Sequence, residues 1–346
     1  MIEWLLYLEI RARGRCLVVC KNWYKNGSKA RFWHEIKAQN IFAAYGKEEG
    51  KRRLRSILKK SSEKNSRWSE LKIINFECCK HITDVELDLI QSKIISLNLN
   101  AAHGISSKSI ELFLQSRPYL KLQELQLFWH PRLEDAVLQA LATTDSRNTL
   151  TSINLSGCQN ISDLGLNLMC RACRSITKIN ITRCPKLTDG TLKIIAQTNG
   201  HHLQDLIAYA NSNFTDVGYG ELANVNLTKL QNFDSCGARF FTSHALTALV
   251  RKAGLSLLSL NLSWCVSIDD QGGIAIAHHC SSLQLLSFHG NQFISDRTIE
   301  ALAQSSCAIT LNTLDLSGCS RVSDYRRNTT RLPSLFPHVS SWTVHR

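Results

Sequence analysis

The sequence predicts an α/β solenoid of about ten strand-and-helix repeats over residues 71–346, preceded by a small helical domain and a basic linker. Three observations lead there. First, apolar trios spaced apolar-x-x-apolar-x-apolar start at residues 71, 94, 122, 150, 176, 203, 230, 257, 283 and 311, with a degenerate copy at 339; after the first interval of 23 residues, every step is 26 to 28. Second, eleven residues after each of the ten starts stands an apolar residue, from Ile82 to Val322. Third, thirteen residues after it, Asp occupies eight of the ten repeats: Asp84, Asp135, Asp163, Asp189, Asp216, Asp270, Asp296 and Asp324. Regular internal periods of this length mark stacked repeats.

Each part of the unit has a physical job. The trio is a short strand whose alternate side chains point into the solenoid; Leu150/Ile153/Leu155, Ile176/Ile179/Ile181, Leu257/Leu260/Leu262 and Leu311/Leu314/Leu316 are its clearest copies. Eight residues after each start comes Cys79, Ala102, His130, Cys158, Cys184, Asn211, Ala238, Cys265, Asn291 or Cys319, expected to turn inward where the chain leaves the strand. A Thr/Ser-Asp pair, as in Thr188-Asp189, then caps the following helix and places a carboxylate at its positive end.

This spacing, with its Cys-bearing position, resembles the cysteine-containing type of leucine-rich repeat. The resemblance implies a horseshoe with a parallel sheet on its concave side and helices on its convex side.

Residues 4–36 do not follow the repeat, and a small helical domain is expected over 1–45 with a basic linker over 46–70. Trp4-Leu5-Leu6-Tyr7-Leu8 precedes a basic stretch from Arg11 to Arg15, then Cys16-Leu17-Val18-Val19-Cys20-Lys21-Asn22-Trp23-Tyr24, then Arg31-Phe32-Trp33. This order resembles the F-box, with Phe32-Trp33 in place of its Leu-Trp end. The family's opening Leu-Pro-x-Glu is missing, so the expectation divides between a truncated first exon and weak adaptor binding. The resemblance implies a substrate receptor of an SCF-type ubiquitin ligase: Leu8, Val19 and Cys20 would bury an apolar face on a Skp-type adaptor, and through it a cullin scaffold, while the repeats hold a protein target. A repeat scaffold with a vestigial box is the competing reading, and a helical cap over the first repeat is the purely structural one.

Strand alternation puts the residues two, four and six after each start on the concave surface, and the seventh at its edge. Most are small or amide-bearing, such as Asn154, Asn180 and Asn261. The exceptions are Phe128, Trp129, Lys178, Arg183, Asp205, Tyr209, Trp264 and His289, expected to form one contiguous protein-binding patch from the third to the ninth repeat, since interface anchors are rich in Trp, Tyr and Arg. The alternative for Trp129 and Trp264 is that they fold over the strand edge onto neighbouring loops.

Composition narrows the function classes. In 346 residues, 44% hydrophobic with only five prolines, there is apolar material for a large core and no run approaching the ~18 residues of a membrane span. With no secretory signal pattern, a cytoplasmic or nuclear location is expected and the 13 cysteines are expected to be reduced. Cys170-Arg171-Ala172-Cys173 has metal-site spacing, but Cys173 and Cys280 both lie three residues before a strand start, so the thiol is read as a repeat position. No cofactor, metal or catalytic motif is expected. Net charge is +13, of which residues 1–70 supply +10, concentrated in Lys51-Arg52-Arg53, Arg55, Lys59-Lys60 and Lys64. A basic run of this kind is a solvated helix or linker, and a nucleic-acid site is disfavoured because Trp68 is the only aromatic beside it.

Overall fold

The computed structural model describes residues 32–323 and 331–343, together with Ala12, Arg15 and Lys29. Two compact units, Met1–Asn154 and Leu155–Arg346, divide it. In the first, strands β1 (Glu35–Lys37), β2 (Ile73–Asn75), β3 (Ser96–Asn98), β4 (Glu124–Gln126) and β5 (Ser152–Asn154) pair in parallel in chain order. In the second the same holds for β6 (Lys178–Asn180), β7 (Asp205–Ile207), β8 (Asn232–Asp234), β9 (Ser259–Asn261), β10 (Leu285–Ser287), β11 (Thr313–Asp315) and β12 (Ser341–Thr343). The register aligns the middle residues of the trios, so Leu206, Phe233, Leu260, Leu286 and Leu314 stack as a buried column.

From β2 to β10 each strand is followed by a turn and a helix, whereas β1 runs directly into its helix. The helices of the first unit are α1 (Ala38–Tyr45), α2 (Lys47–Lys60), α3 (Asp84–Asp88), α4 (Ser107–Gln115) and α5 (Asp135–Thr143). Those of the second are α6 (Asp163–Ala172), α7 (Asp189–Asn199), α8 (Asp216–Ala223), α9 (Ser243–Ala253), α10 (Asp270–His279), α11 (Asp296–Ala303), α12 (Cys307–Thr310) and α13 (Arg331–Leu335). None of the described helices is long and apolar enough to cross a membrane.

The sheet starts earlier than the periodicity indicates. Ile36 sits opposite Ile74, which places Trp33, Ile36 and Ala38, all buried, in the trio positions held one strand later by Leu71, Ile74 and Phe76. Trp33 thereby serves as a core residue of the first strand, with its ring 5.0 Å from that of Trp68 in a T-shaped pair. The basic segment is helical: α2 buries Leu54 and Leu58 and exposes most of its cations.

In six repeats the residue eight after the start donates to a specific partner. Cys184, Cys265 and Cys319 donate their thiols to the carbonyls of Leu155, Ser235 and Phe288, at 3.2, 3.1 and 3.2 Å. Asn211 and Asn291 reach the equivalent carbonyls of Ile181 and Leu262, and His130 Nε2 that of Leu99. In every case the acceptor is the residue five after the preceding start, a buried carbonyl that the strand ladder does not satisfy. Cys, Asn and His interchange here because each brings a donor of the right reach; five of the six carbonyls also accept the amide three residues on, so the side chain supplies a second bond to a buried oxygen.

The Asp column does more than favour its own helix. Thr188, Thr215 and Ser295 cap their helices through the hydroxyl, while the Asp one position later reaches the cap of the next repeat. Asp189 accepts from Thr215 N and Oγ1 at 2.8 and 2.6 Å, and Asp163, Asp216 and Asp270 do the same for Thr188, Thr242 and Ser295. A ladder of carboxylates therefore joins consecutive helix starts within the unit.

Candidate functional site

The turn leaving each strand from β2 to β11 has one conformation. The residue seven after each start has a left-handed backbone: Cys78, Ala101, Trp129, Gly157, Arg183, Ala210, Gly237, Trp264, Gly290 and Gly318, with φ from 51° to 78°. Neighbouring turns hold it there, since the amides of Arg183, Ala210, Gly237, Trp264 and Gly290 each donate to the carbonyl six after the next start. Four repeats use glycine, the residue suited to this conformation. A side chain costs on the order of 1–2 kcal/mol in its place, yet two tryptophans and an arginine stand there. Strain of this kind, kept by surrounding hydrogen bonds, gathers at functional positions.

What these residues do is visible in the second unit. Trp264 is 54% exposed, with its ring over Gly290, where an added Cβ would come within 2.6 Å of it. The same ring meets His289 at 5.2 Å, and His289 Nδ1 stands 3.7 Å from Asp315. After β6 and β7, the Arg183 guanidinium lies 5.3 Å from the centre of the Tyr209 ring, with Nη2 3.3 Å from its hydroxyl. Beside them, Lys178 pairs with Asp205 at 2.9 Å, and Asn232 donates to the same carboxylate. The predicted residues thus fall into two groups here, Lys178/Asp205 with Arg183/Tyr209, and Trp264 with His289. In the first unit Phe128 and Trp129 pair at 5.9 Å, and Trp129 is 42% exposed. Trp264 combines both alternatives left open by the sequence: it packs on the neighbouring turn and keeps an open face.

The amides on this face are structural. The Asn180, Asp234, Asn261 and Asp315 side chains accept from the amide two residues on, closing the turn after the strand. Asp234 also accepts from Asn261 at 2.9 Å, and burial pushes its carboxyl above the usual range against the pull of these bonds. Three exposed apolar residues escaped notice in the sequence. Phe240, Val266 and Phe293 lie on the loops after β8, β9 and β10. The signal was present, because the position of Phe240 and Phe293, ten after the start, carries His81, Arg132, Asn160, Lys186 and Asn213 in other repeats.

Leu8, Val19 and Cys20, the residues assigned to adaptor contact, lie outside the described residues. Cys170 and Cys173 are buried, and among the described residues no group of three or more His, Cys, Asp or Glu is placed to hold a metal ion.

Parallel three-residue strands, a helix after each turn and a ladder of inward Cys/Asn donors define a leucine-rich-repeat solenoid. The Leucine Rich repeat model matches residues 147–170 and 255–277. Among solved structures, a chain from the crystal structure of the Rad7 and Elc1 complex in yeast aligns with a TM-score of 0.66 at 20% identity, covering 80% of this chain and 69% of that one. An internalin, InlF, from Listeria monocytogenes aligns with a TM-score of 0.49 at 19% identity, covering 72% and 69%. At this identity the yeast structure bears on the fold alone.

Proposed function

We propose that this chain is the substrate-recognition subunit of an SCF-type ubiquitin ligase, with its N-terminal segment on a Skp-type adaptor, and through that on a cullin scaffold, and its repeats on a protein target. The observation that carries the reading is the order along the chain: the F-box-like Val18-Val19-Cys20-Lys21-Asn22-Trp23-Tyr24 ahead of Cys-type repeats. The fold likeness to a chain crystallised in a complex, that of Rad7 and Elc1, adds support. In this reading the chain makes and breaks no bonds. It raises the local concentration of a target lysine at the conjugating enzyme, an effect of proximity, and works in the cytoplasm or nucleus. In the second unit the target is held on the open side of the strands, where Trp264 and Tyr209 act as aromatic anchors with His289 beside Trp264, and Arg183, Lys178 and Asp205 form a charged rim; in the first unit Phe128 and Trp129 offer a contact of their own. The test is co-purification with a Skp-type adaptor. Val19→Asp should abolish it while the circular-dichroism spectrum of the repeats stays unchanged; undiminished adaptor binding by the variant removes the reading.

A further inference from the structure

The basic helix of the first unit has a feature that adaptor and target binding leave unused. Trp33, Tyr45 and Trp68 line a cavity of about 470 Å³ together with Arg53, Lys60 and Arg67. Both guanidinium groups are held on the wall by rings, Arg53 at 4.0 Å from the centre of Tyr45 and Arg67 at 5.2 Å from that of Trp33. Arg53 is also braced by Glu49, 2.5 Å from its Nε. Among the described residues Lys60 and Arg67 meet no carboxylate. The lining holds three cations against one carboxylate, Glu63, and its size falls within the ~300–1,000 Å³ of small-ligand sites.

We propose that this cavity binds a phosphate monoester. An arginine fork pre-set by stacking is suited to the oxygens of a phosphate. With Arg53 already paired to Glu49, Lys60 and Arg67 against Glu63 leave an excess of one cation, and a monoester, with its charge of roughly −1.5 to −2 at neutral pH, is drawn to it more strongly than a single carboxylate is. The Trp33 and Trp68 rings are themselves buried, so the aromatic walls hold the guanidinium groups in place and leave the cations to meet the ligand. A tyrosine-phosphorylated segment of a protein and a nucleoside monophosphate share this chemistry.

Titration calorimetry on the full chain separates the sources and is independent of adaptor binding. The probes are a tyrosine-phosphorylated peptide, the same peptide without phosphate, AMP and adenosine. At least one phosphorylated probe should bind tenfold or more tightly than its dephosphorylated partner, and whichever does so names the source. Lys60→Glu with Arg67→Ala should remove that preference without changing the circular-dichroism spectrum. Should the double variant lose its fold, Lys60→Glu alone carries the test, since Lys60 is exposed, with an expected loss of at least fivefold. The proposal falls if neither phosphorylated probe binds at millimolar concentration, or if their binding is indifferent to the substitutions.

Discussion

Trp264 rests on the backbone of Gly290: the ring occupies the volume that a Cβ at residue 290 would need, 2.6 Å from its nearest carbon. A large residue at the seventh position is thus accommodated by a glycine at the same position of the next repeat. Gly290→Ala meets the ring and a φ of +77° at once. It should lower stability by about 1–3 kcal/mol and turn Trp264 away, read as a lower denaturant midpoint and a shifted tryptophan emission. A variant with unaltered stability and emission would show that the ring is free to leave the turn.

Trp264→Gly should separate binding from folding. Glycine already fills this position at Gly157, Gly237, Gly290 and Gly318, so relief of strain offsets the lost packing and the melting temperature should stay within a few degrees. Target capture should weaken by on the order of 2 kcal/mol. Tyr209→Ala and Trp129→Ala extend the series. If none of the three alters capture of an identified target, the anchors are wrongly assigned.

The buried Glu86 carboxylate ties the basic helix to the first regular repeat. Burial raises its pKa, but hydrogen bonds from Thr83 and the Arg55 guanidinium, 2.7 Å away, overcome this and hold it below the usual range. A carboxyl depressed in the folded state stabilises fully above its unfolded pKa and loses that contribution as the pH falls through the folded value. Stability measured by urea should therefore drop below about pH 4.5. Arg55→Ala, discounted for the partial exposure of Arg55, should cost about 1–2 kcal/mol at pH 7. It should also shift the acid transition to higher pH. An unchanged acid limb would deny the pair this role.

The inward thiols should be inert. Burial pushes Cys184 and Cys265 up to about 12, whereas Cys78 is exposed. Alkylation at pH 8, followed by mass spectrometry of the peptides, should label Cys78 first and leave Cys184 and Cys265 until unfolding. Cys184→Ala, which leaves the Leu155 carbonyl with the Cys158 amide alone and opens a small gap in the core, should cost on the order of 1 kcal/mol. Rapid labelling of Cys184 in the native protein would contradict its place in the core.

The strands of the second unit and the positions of its helices were readable in the sequence because every repeat spends its apolar residues at the same offsets. The strand at Glu35–Lys37 was not. Its trio stands 38 residues before the next one, Ala38 is too small to signal a strand, and the charged α2 fills the interval. The left-handed turn was equally hidden, since Trp, Arg, Ala, Cys and Gly at one offset show no common chemistry in one dimension; what they share is a backbone angle. Among the candidate residues, alternation found Lys178, Asp205 and Tyr209, but their pairing depends on which strands neighbour each other. The role of Asn180 and Asn261 in closing turns also emerged only from the backbone they bind.

The carboxylate ladder has a direction. Asp189 comes before the Thr215 that it holds, Asp216 before Thr242 and Asp270 before Ser295. In these repeats the acceptor for the new helix is already in position when the ribosome releases the donor; at Asp269 the earlier Ser243 hydroxyl takes that place. Within the unit, a nascent chain can add one repeat at a time onto a finished edge, with no need to wait for its C-terminus, as suits an array whose contacts run between neighbours.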